Sequence, residues 1–233
     1  MNEKVLNKGL FFIYFLIALW HNDDDEREEK MKHYYTDNTD LPSQPRSIHF
    51  QYRQHNITFM SDHGVFSKER VDYGSRVLLD AMDIQPHQKT LLDVGCGYGV
   101  FGVCLKKEYP WLHVEMVDIN ERAIDLAKQS VNMNHLNDIN IYQSYLYENV
   151  KGTFDIIVSN PPIRSGKKNV FEILEKAYDH LNDDGELYIV IQKKQGAPSA
   201  KKKMEEIFHN CKVVKRDKGY FVLKSQKKHH KDE

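Results

Sequence analysis

Cysteine is scarce in this chain, with only Cys96, Cys104 and Cys211 among 233 residues. Their number is odd and no two of them form a Cys-x-x-Cys pair, so the sequence predicts neither a disulfide framework nor a zinc site. No other metal site is expected. Unpaired cysteines are typical of a reducing compartment, and we expect a cytoplasmic protein.

Long hydrophobic runs are also lacking. The longest covers residues 10–20, and its eleven apolar residues fall short of the roughly 20 that a membrane-spanning helix needs. The run ends in Trp20-His21-Asn22 instead of the small residues of a secretory cleavage site. We therefore expect no stable membrane span, and we interpret residues 1–30 as an apolar and acidic extension that precedes Met31, the favoured start of translation. If the extension is genuine, an interfacial anchor or a docking helix fits it better than a span.

Neither sign of charge is in excess, since 33 Lys and Arg face 34 Asp and Glu. A phosphate-binding face needs local clusters of basic residues and not a high total, so a nucleic-acid partner is neither required nor excluded. Hydrophobic residues at 40% and aromatic residues at 11% exclude global disorder and fibrous classes. The length fits one sizeable α/β domain, which we assign to residues 31–233.

Short apolar runs alternate with helical patterns through the middle of the chain. The predicted strands are 90–94, 114–118, 139–143, 154–159 and 186–192, and the predicted helices are 101–108, 121–134 and 168–181. Such alternation implies a parallel sheet. Two flanking pieces complete the prediction: a small hairpin with strands at 48–52 and 57–60 followed by a helix at 68–82, and a helix ending at 208 followed by strands at 211–216 and 220–224. The last two strands predict an antiparallel edge.

A glycine-rich turn, Asp-Val-Gly-Cys-Gly-Tyr-Gly at residues 93–99, follows the first core strand. Glycines without Cβ can take positive φ, so a ligand can approach the backbone closely there. Residues 97–102 also match the dinucleotide pattern G-x-G-x-x-G, which is weak on its own, and an ordinary tight turn remains open. Asp93 would repel a pyrophosphate, but it suits a cationic cofactor without phosphate, whose ammonium it could hold. Asp118, at the end of the next strand, can accept both hydroxyl protons of a ribose.

Asn160-Pro161-Pro162 directly follows the predicted strand 154–159, beside the glycine turn. An exocyclic amine on a base is a poor nucleophile because its lone pair is delocalised into the ring. Two acceptors, the Asn160 side-chain oxygen and the Pro161 carbonyl, would help the amine to pyramidalise, and proline fixes the backbone geometry. As an isolated tripeptide the motif would predict a rigid turn, and its position after a strand favours the catalytic interpretation.

Three segments, Leu92 to Gly102, Val117 to Asn120 and Ser159 to Arg164, resemble class I S-adenosylmethionine-dependent methyltransferases, specifically the small-domain group of ribosomal RNA guanine-N2 methyltransferases. Gly64 to Ser67 and Asp72 to Ser75 resemble the segment of that group that is implied to close over the cofactor. The resemblance implies a doubly wound, Rossmann-like, seven-stranded sheet, mostly parallel with one antiparallel edge strand. It also implies S-adenosylmethionine as the donor and a guanine N2 amine in small-subunit ribosomal RNA as the acceptor.

The resemblance assigns roles to individual residues. Cofactor binding falls to Phe66, Asp72, Gly74, Asp93, Gly95, Cys96, Gly97, Gly99, Asp118, Ile119, Ser144, Tyr145 and Asn160, catalysis to Asn160, Pro161 and Pro162, and substrate binding to Ile163 and Arg164. Tyr145 stands where members of the group often carry an acid that contacts the adenine amine, so the backbone or Ser144 would have to substitute. Cys96 is interpreted as a small loop-filling residue and not as a nucleophile.

The implied partner is ribosomal RNA or the small ribosomal subunit. The candidates for phosphate contacts are the basic residues near the acceptor side: Arg164, Lys167, Lys168, Lys193, Lys194 and Lys201 to Lys203. For the last cluster, Lys201 to Lys203, a solvated helix face is an equally good explanation. Ile163 replaces the aromatic residue that adenine-N6 and glutamine methyltransferases usually carry after Pro-Pro. Three alternatives stay open: a protein glutamine methyltransferase, a small-molecule methyltransferase, and a non-catalytic module that binds S-adenosylmethionine.

Overall fold

The structure, a computed structural model, describes residues 44–62, 69–161 and 166–228. The predictions for the extension 1–30 and the start at Met31 lie outside the described residues, as do those for the Gly64 to Ser67 segment with Phe66, and for Pro162, Ile163 and Arg164. Within the described part, no helix has both the length and the apolar character needed to cross a bilayer.

The described elements follow the predicted order. The strands are β1 (Arg46–Tyr52), β2 (His55–Ser61), β3 (Thr90–Val94), β4 (His113–Asp118), β5 (Ile139–Gln143), β6 (Phe154–Ser159), β7 (Leu181–Gln192), β8 (Lys212–Asp217) and β9 (Tyr220–Gln226). The helices are α1 (Tyr73–Leu79), α2 (Val100–Glu108), α3 (Glu121–Met133), α4 (Gly166–Asp179) and α5 (Ala197–Phe208). A short 3-10 turn, Lys193–Gln195, separates β7 from α5.

Seven of these strands form one sheet in the order β5-β4-β3-β6-β7-β9-β8. The strands from β5 to β7 are parallel, and β9 pairs antiparallel with both β7 and β8. The doubly wound sheet and its antiparallel edge are therefore confirmed. From β3 the chain adds strands first on one side, β4 and β5, and then on the other, β6 and β7, so the strand order reverses at β3. In such sheets ligands bind at the carboxyl ends of the strands next to this point.

Both faces of the sheet are buried, which explains the continuous apolar runs of its strands. Neighbouring residues of one strand serve different cores: Leu91 and Ile156 belong to the core that includes α2 and α3, whereas Leu92 and Ile157 belong to the core that includes α4 and α5.

The small hairpin β1-β2 packs against α3 through polar contacts. Asn134, at the end of α3, accepts a hydrogen bond from the Thr58 amide at 3.1 Å and donates one to the Thr58 carbonyl at 2.7 Å. Ser130 Oγ accepts another from the Met60 amide at 3.0 Å. The free edge of β2 is thus satisfied by side chains of the main domain.

Two predicted boundaries were wrong. The helix predicted at 68–82 begins only at Tyr73, because the Asp72 side chain caps it by accepting from the Ser75 amide, and it ends at Leu79. Helix α4 ends at Asp179, because the buried Leu181 already pairs with Phe154 as the first residue of β7, five positions before the predicted start.

Candidate functional site

The glycine turn after β3 forms an open cradle. Gly95, Gly97 and Gly99 have φ values of 73°, 56° and 90°, a region that favours glycine. The amides of Gly95 and Cys96 both donate to the Val117 carbonyl at 2.9 Å, which anchors the turn to β4. A Cβ atom added at Gly95 or Gly97 would meet nothing within 4 Å, so this side of the backbone is open to a ligand.

Asp118 lies across from this turn at the end of β4. Its Oδ2 accepts from the Gly97 amide and its Oδ1 from the Asn120 amide, each at 2.9 Å. Burial raises the pKa of this carboxyl, while the hydrogen bonds from backbone amides oppose that shift. Since each carboxylate oxygen can accept more than one hydrogen bond, Asp118 retains the capacity to bind the two hydroxyls of a ribose.

Asp93 is a fully buried acid next to the same turn. Its Oδ2 accepts from the Gly102 amide at 3.2 Å, whereas Oδ1 has no hydrogen-bond partner among the described residues. Burial raises the pKa of Asp93 to about 8, and the nearby Asp118 adds to the rise. A buried acceptor without a partner is costly. An ammonium group bound at the turn would satisfy it, so these residues fit the amino-acid end of S-adenosylmethionine.

Asn160 follows β6 and meets α1 across the site. Its Nδ2 donates to Asp72 Oδ1 at 3.2 Å and to Ser75 Oγ at 3.0 Å. Because the amide nitrogen is occupied in this way, the side-chain oxygen is left as an acceptor. The Ser159 hydroxyl donates to the Val94 carbonyl at 2.8 Å and so fixes the end of β6 beside the end of β3. Pro161 is buried directly after Asn160.

The positions expected near the adenine lie beside Asp118. The Ser144 amide donates to the Asp118 carbonyl at 2.9 Å, and Ile119 is half-buried in the next position of the chain. The Ser144 hydroxyl donates to the Leu146 carbonyl at 3.1 Å and accepts from the Asn149 amide at 3.0 Å. This hydroxyl therefore holds its own loop together.

Tyr145, the departure from the group's pattern, is half-buried in the same loop. Its hydroxyl donates to Glu172 Oε2 on α4 at 3.4 Å. The tyrosine thus links the loop after β5 to α4, and a contact of Ser144 or Tyr145 with adenine stays a prediction.

Two further predicted cofactor residues have packing roles in the structure. A Cβ atom at Gly74 would lie 2.8 Å from the Tyr220 ring, so this glycine lets α1 approach β9 closely. Cys96 is buried, and burial raises the pKa of its thiol well above the ordinary value. A thiol kept neutral is a poor nucleophile, which agrees with its interpretation as a loop-filling residue.

One functional contact was missed by the sequence reasoning. Ser75 was predicted only as part of the segment from Asp72 to Ser75 and was given no role of its own, yet its hydroxyl contacts the Asn160 amide. The available signal was local: Asp72 and Ser75 have the spacing of a helix N-cap and its N3 residue, which places both side chains at the same helix end.

The predicted basic residues that follow β7 in the chain fall into two groups. Lys193 and Lys194 are exposed on the turn after β7, at the end of the sheet that carries Asn160, and pair with no described carboxylate. By contrast, each lysine of the 201–203 cluster has an acidic partner, namely Glu205, Glu206 and Glu175 in turn. These ion pairs favour the solvated helix face for that cluster.

Three features meet at the switch point of this doubly wound sheet: an acid-lined glycine turn, a carboxylate at the end of the neighbouring strand, and an oriented asparagine after β6. Together they define a class I methyltransferase. The family model of the methyltransferase small domain matches residues 56–224, and the chain belongs to this family. It is an S-adenosylmethionine-dependent methyltransferase of the small-domain type.

Individual relatives agree with this assignment. The chain is 46% identical over 198 residues to the Bacillus subtilis protein YbxB, covering 84% of this chain and 98% of YbxB. It is 38% identical over 139 residues to ribosomal RNA small subunit methyltransferase C of Haemophilus influenzae, covering 58% of this chain and 42% of that protein. The chain therefore spans less than half of that longer relative.

Among solved structures, the T. thermophilus 16S rRNA N2 methyltransferase in complex with AdoMet and guanosine superposes with a TM-score of 0.73 at 25% identity. The match covers 81% of this chain and 52% of that one. Family and structural neighbour together support S-adenosylmethionine as the cofactor.

Proposed function

We propose that this chain transfers a methyl group from S-adenosylmethionine to the exocyclic N2 amine of a guanine in small-subunit ribosomal RNA. The observation that carries the proposal is the orientation of Asn160, whose amide nitrogen is held by α1 so that its oxygen is free to accept from an amine. The relatives named after small-subunit ribosomal RNA supply the choice of acceptor. Since ribosomes are located in the cytoplasm, we propose that the protein acts there.

The chemistry requires positioning more than a strong base. When bound, S-adenosylmethionine supplies a methyl group on a positively charged sulfur, so the new N–C bond forms as the S–C bond breaks. The Asn160 oxygen accepts one proton of the amine in a hydrogen bond and thereby directs the nitrogen lone pair out of the ring plane. The extra proton on the product nitrogen is lost to solvent afterwards. Asp93 and Asp118 contribute by binding the ammonium and the ribose hydroxyls.

Recognition of RNA would use the exposed end of β7. The Lys193 amide donates to the Gly219 carbonyl at 2.8 Å, so the basic turn is joined to the β8-β9 hairpin and does not depend on its own three residues for its conformation. Lys193 and Lys194 are then available for phosphates next to the acceptor site. A guanine would have to be unstacked, or presented in a loop, to reach Asn160.

The test is methyl transfer from labelled S-adenosylmethionine to naked 16S ribosomal RNA and to isolated small subunits, followed by nucleoside mass spectrometry. The proposal expects N2-methylguanosine from the wild-type protein and none from Asn160→Ala. Label in a protein glutamine or in a small molecule, with none in RNA, would replace the acceptor. Cofactor binding by calorimetry without transfer to any of these acceptors would support a non-catalytic module instead.

A further inference from the structure

The side chain of Asn160 has two ends of nearly equal size and opposite chemistry. If the oxygen faces an acceptor amine, it can take a hydrogen bond, but the NH2 end in the same place would set donors against donors. Rotation of the amide by half a turn exchanges the two. Catalysis at this position therefore needs something that fixes the orientation.

We infer that Asp72 and Ser75 are positioning residues that lock the Asn160 amide with its oxygen toward the methyl acceptor. The Asn160 nitrogen lies 3.2 and 3.4 Å from the two carboxylate oxygens of Asp72 and 3.0 Å from Ser75 Oγ. An ionised carboxylate only accepts hydrogen bonds, so a flipped amide would bring its oxygen against two acceptor oxygens. The carboxylate thus selects one orientation by charge.

Asp72 is itself held in place by α1. Its Oδ1 accepts from the Ser75 amide at 3.1 Å as the N-cap of this helix. The next residue, Tyr73, donates from its hydroxyl to Asp217 Oδ2 at 2.7 Å, and Gly74 packs under the Tyr220 ring. The β8-β9 hairpin therefore supports the helix end that supports Asn160.

The inference rests on the proposed function for the role of the Asn160 oxygen, but the contact with Asp72 belongs to the protein alone. Loss of Asp72 is expected to leave Asp93 and Asp118 in place, since their described hydrogen bonds are to the amides of Gly102, Gly97 and Asn120. Because the resemblance also assigns Asp72 to cofactor binding, the turnover number is measured at saturating S-adenosylmethionine, where it should fall while the melting temperature stays close to the wild-type value. A general loss of folding would change both.

Asp72→Ser is the first test, because serine is an N-cap of similar quality to aspartate but is too short to reach Asn160. We expect a fall in kcat of about tenfold or more at saturating cofactor, with a melting temperature close to the wild-type value. Asp80→Ser, the same change at the exposed C-terminal end of α1, is the matched control and should keep wild-type kcat.

Exchanging the two functional groups gives a sharper test. Asn160→Asp alone places a second carboxylate beside that of Asp72 and removes the amide hydrogen bond between them. Two carboxylates this close are expected to share a proton. The activity of this variant should be low at high pH and rise as pH falls. In the double variant Asp72→Asn with Asn160→Asp, the amide at position 72 can donate to the introduced carboxylate, so activity should recover and this added pH dependence should disappear.

A readout without any acceptor separates this inference from the proposed function. The side-chain amide signal of Asn160 in a nitrogen-15 NMR spectrum, assigned by its loss in Asn160→Asp, should shift in Asp72→Ser and not in Asp80→Ser. If the wild-type protein methylates no RNA but the signal shifts, the proposed acceptor fails and the Asp72 contact stands. An unshifted signal, or a double variant no more active than Asn160→Asp across the pH range, overturns the inference.

Discussion

The carboxylate of Asp118 accepts a hydrogen bond from the backbone amide of Gly97 at 2.9 Å, and this contact joins the end of β4 to the turn after β3. Gly97 has a φ of 56°, so its amide points toward β4 in a conformation that most residues avoid. The other carboxylate oxygen binds the Asn120 amide at the start of α3. The shape of the cradle and the proposed ribose acceptor are therefore one structural unit.

Asp118→Asn should weaken both parts of this unit. An amide side chain has a single acceptor oxygen, so the Gly97 or the Asn120 amide loses its partner, at a cost to stability of about 1–2 kcal/mol. Affinity for S-adenosylmethionine should fall about tenfold or more, because the ribose hydroxyls also lose an acceptor. Calorimetry and thermal unfolding measure the two effects. Asp125→Asn, on the exposed face of α3, is the control, and equal affinities for both variants would contradict the assignment.

The unpartnered acid Asp93 predicts an unusual pH dependence of stability. The ordinary pKa of 3.8 is raised to about 8 in the folded, ligand-free protein, so the folded state keeps a proton that the unfolded chain releases. This group's contribution is complete below about pH 4 and is lost as pH rises to about 8. Asp93→Asn cannot titrate. The free energy of unfolding of the wild-type protein should therefore fall relative to that of the variant between pH 5 and about 8, as measured by denaturant titration.

Asp93→Asn removes the loss of stability with rising pH, but it should weaken ligand binding. S-adenosylmethionine carries the ammonium that an ionised Asp93 would bind, so Asp93→Asn should lower its affinity by about 10- to 100-fold. A variant that binds the cofactor normally would show that the ammonium is held elsewhere. A stability difference that does not change with pH would show that Asp93 is charged in the free protein.

Gly102 is required for packing, whatever ligand the turn binds. A Cβ atom there would lie 2.2 Å from Met116 Sδ and 2.7 Å from its Cγ, where α2 crosses β4. Gly102→Ala should destabilise the protein by about 1–3 kcal/mol through overpacking. Combining it with Met116→Ala removes the clash, so the two changes should be less than additive in thermal unfolding. Full additivity would mean that the loss comes from another source.

The sequence predicted the core strands and the glycine turn well, because the signals for both are local. Apolar runs with both faces buried identify the core strands, and the turn at 93–99 follows directly from the glycine spacing. The match of residues 97–102 to G-x-G-x-x-G reflects the close packing of Gly102 on Met116, a demand that the dinucleotide fold shares. The contact of Asp72 with Asn160 was not predictable in the same way. It joins residues 88 positions apart, and it depends on where α1 begins, a boundary that the helical periodicity placed five residues too early.

Lys193 and Lys194 are expected to carry part of the RNA affinity. Both are exposed on the turn at the end of β7, and no described carboxylate neutralises them. The double variant Lys193→Gln with Lys194→Gln should weaken binding to 16S ribosomal RNA, and the dependence of log K on log salt concentration should become shallower by about one to two units. Lys201→Gln with Lys202→Gln changes the net charge equally but removes lysines already paired with Glu205 and Glu206, so its effect should be small. Filter binding across a salt series compares the two. If both double variants lose the same affinity, total charge and not this turn governs binding, and the proposed RNA path past the end of β7 is wrong.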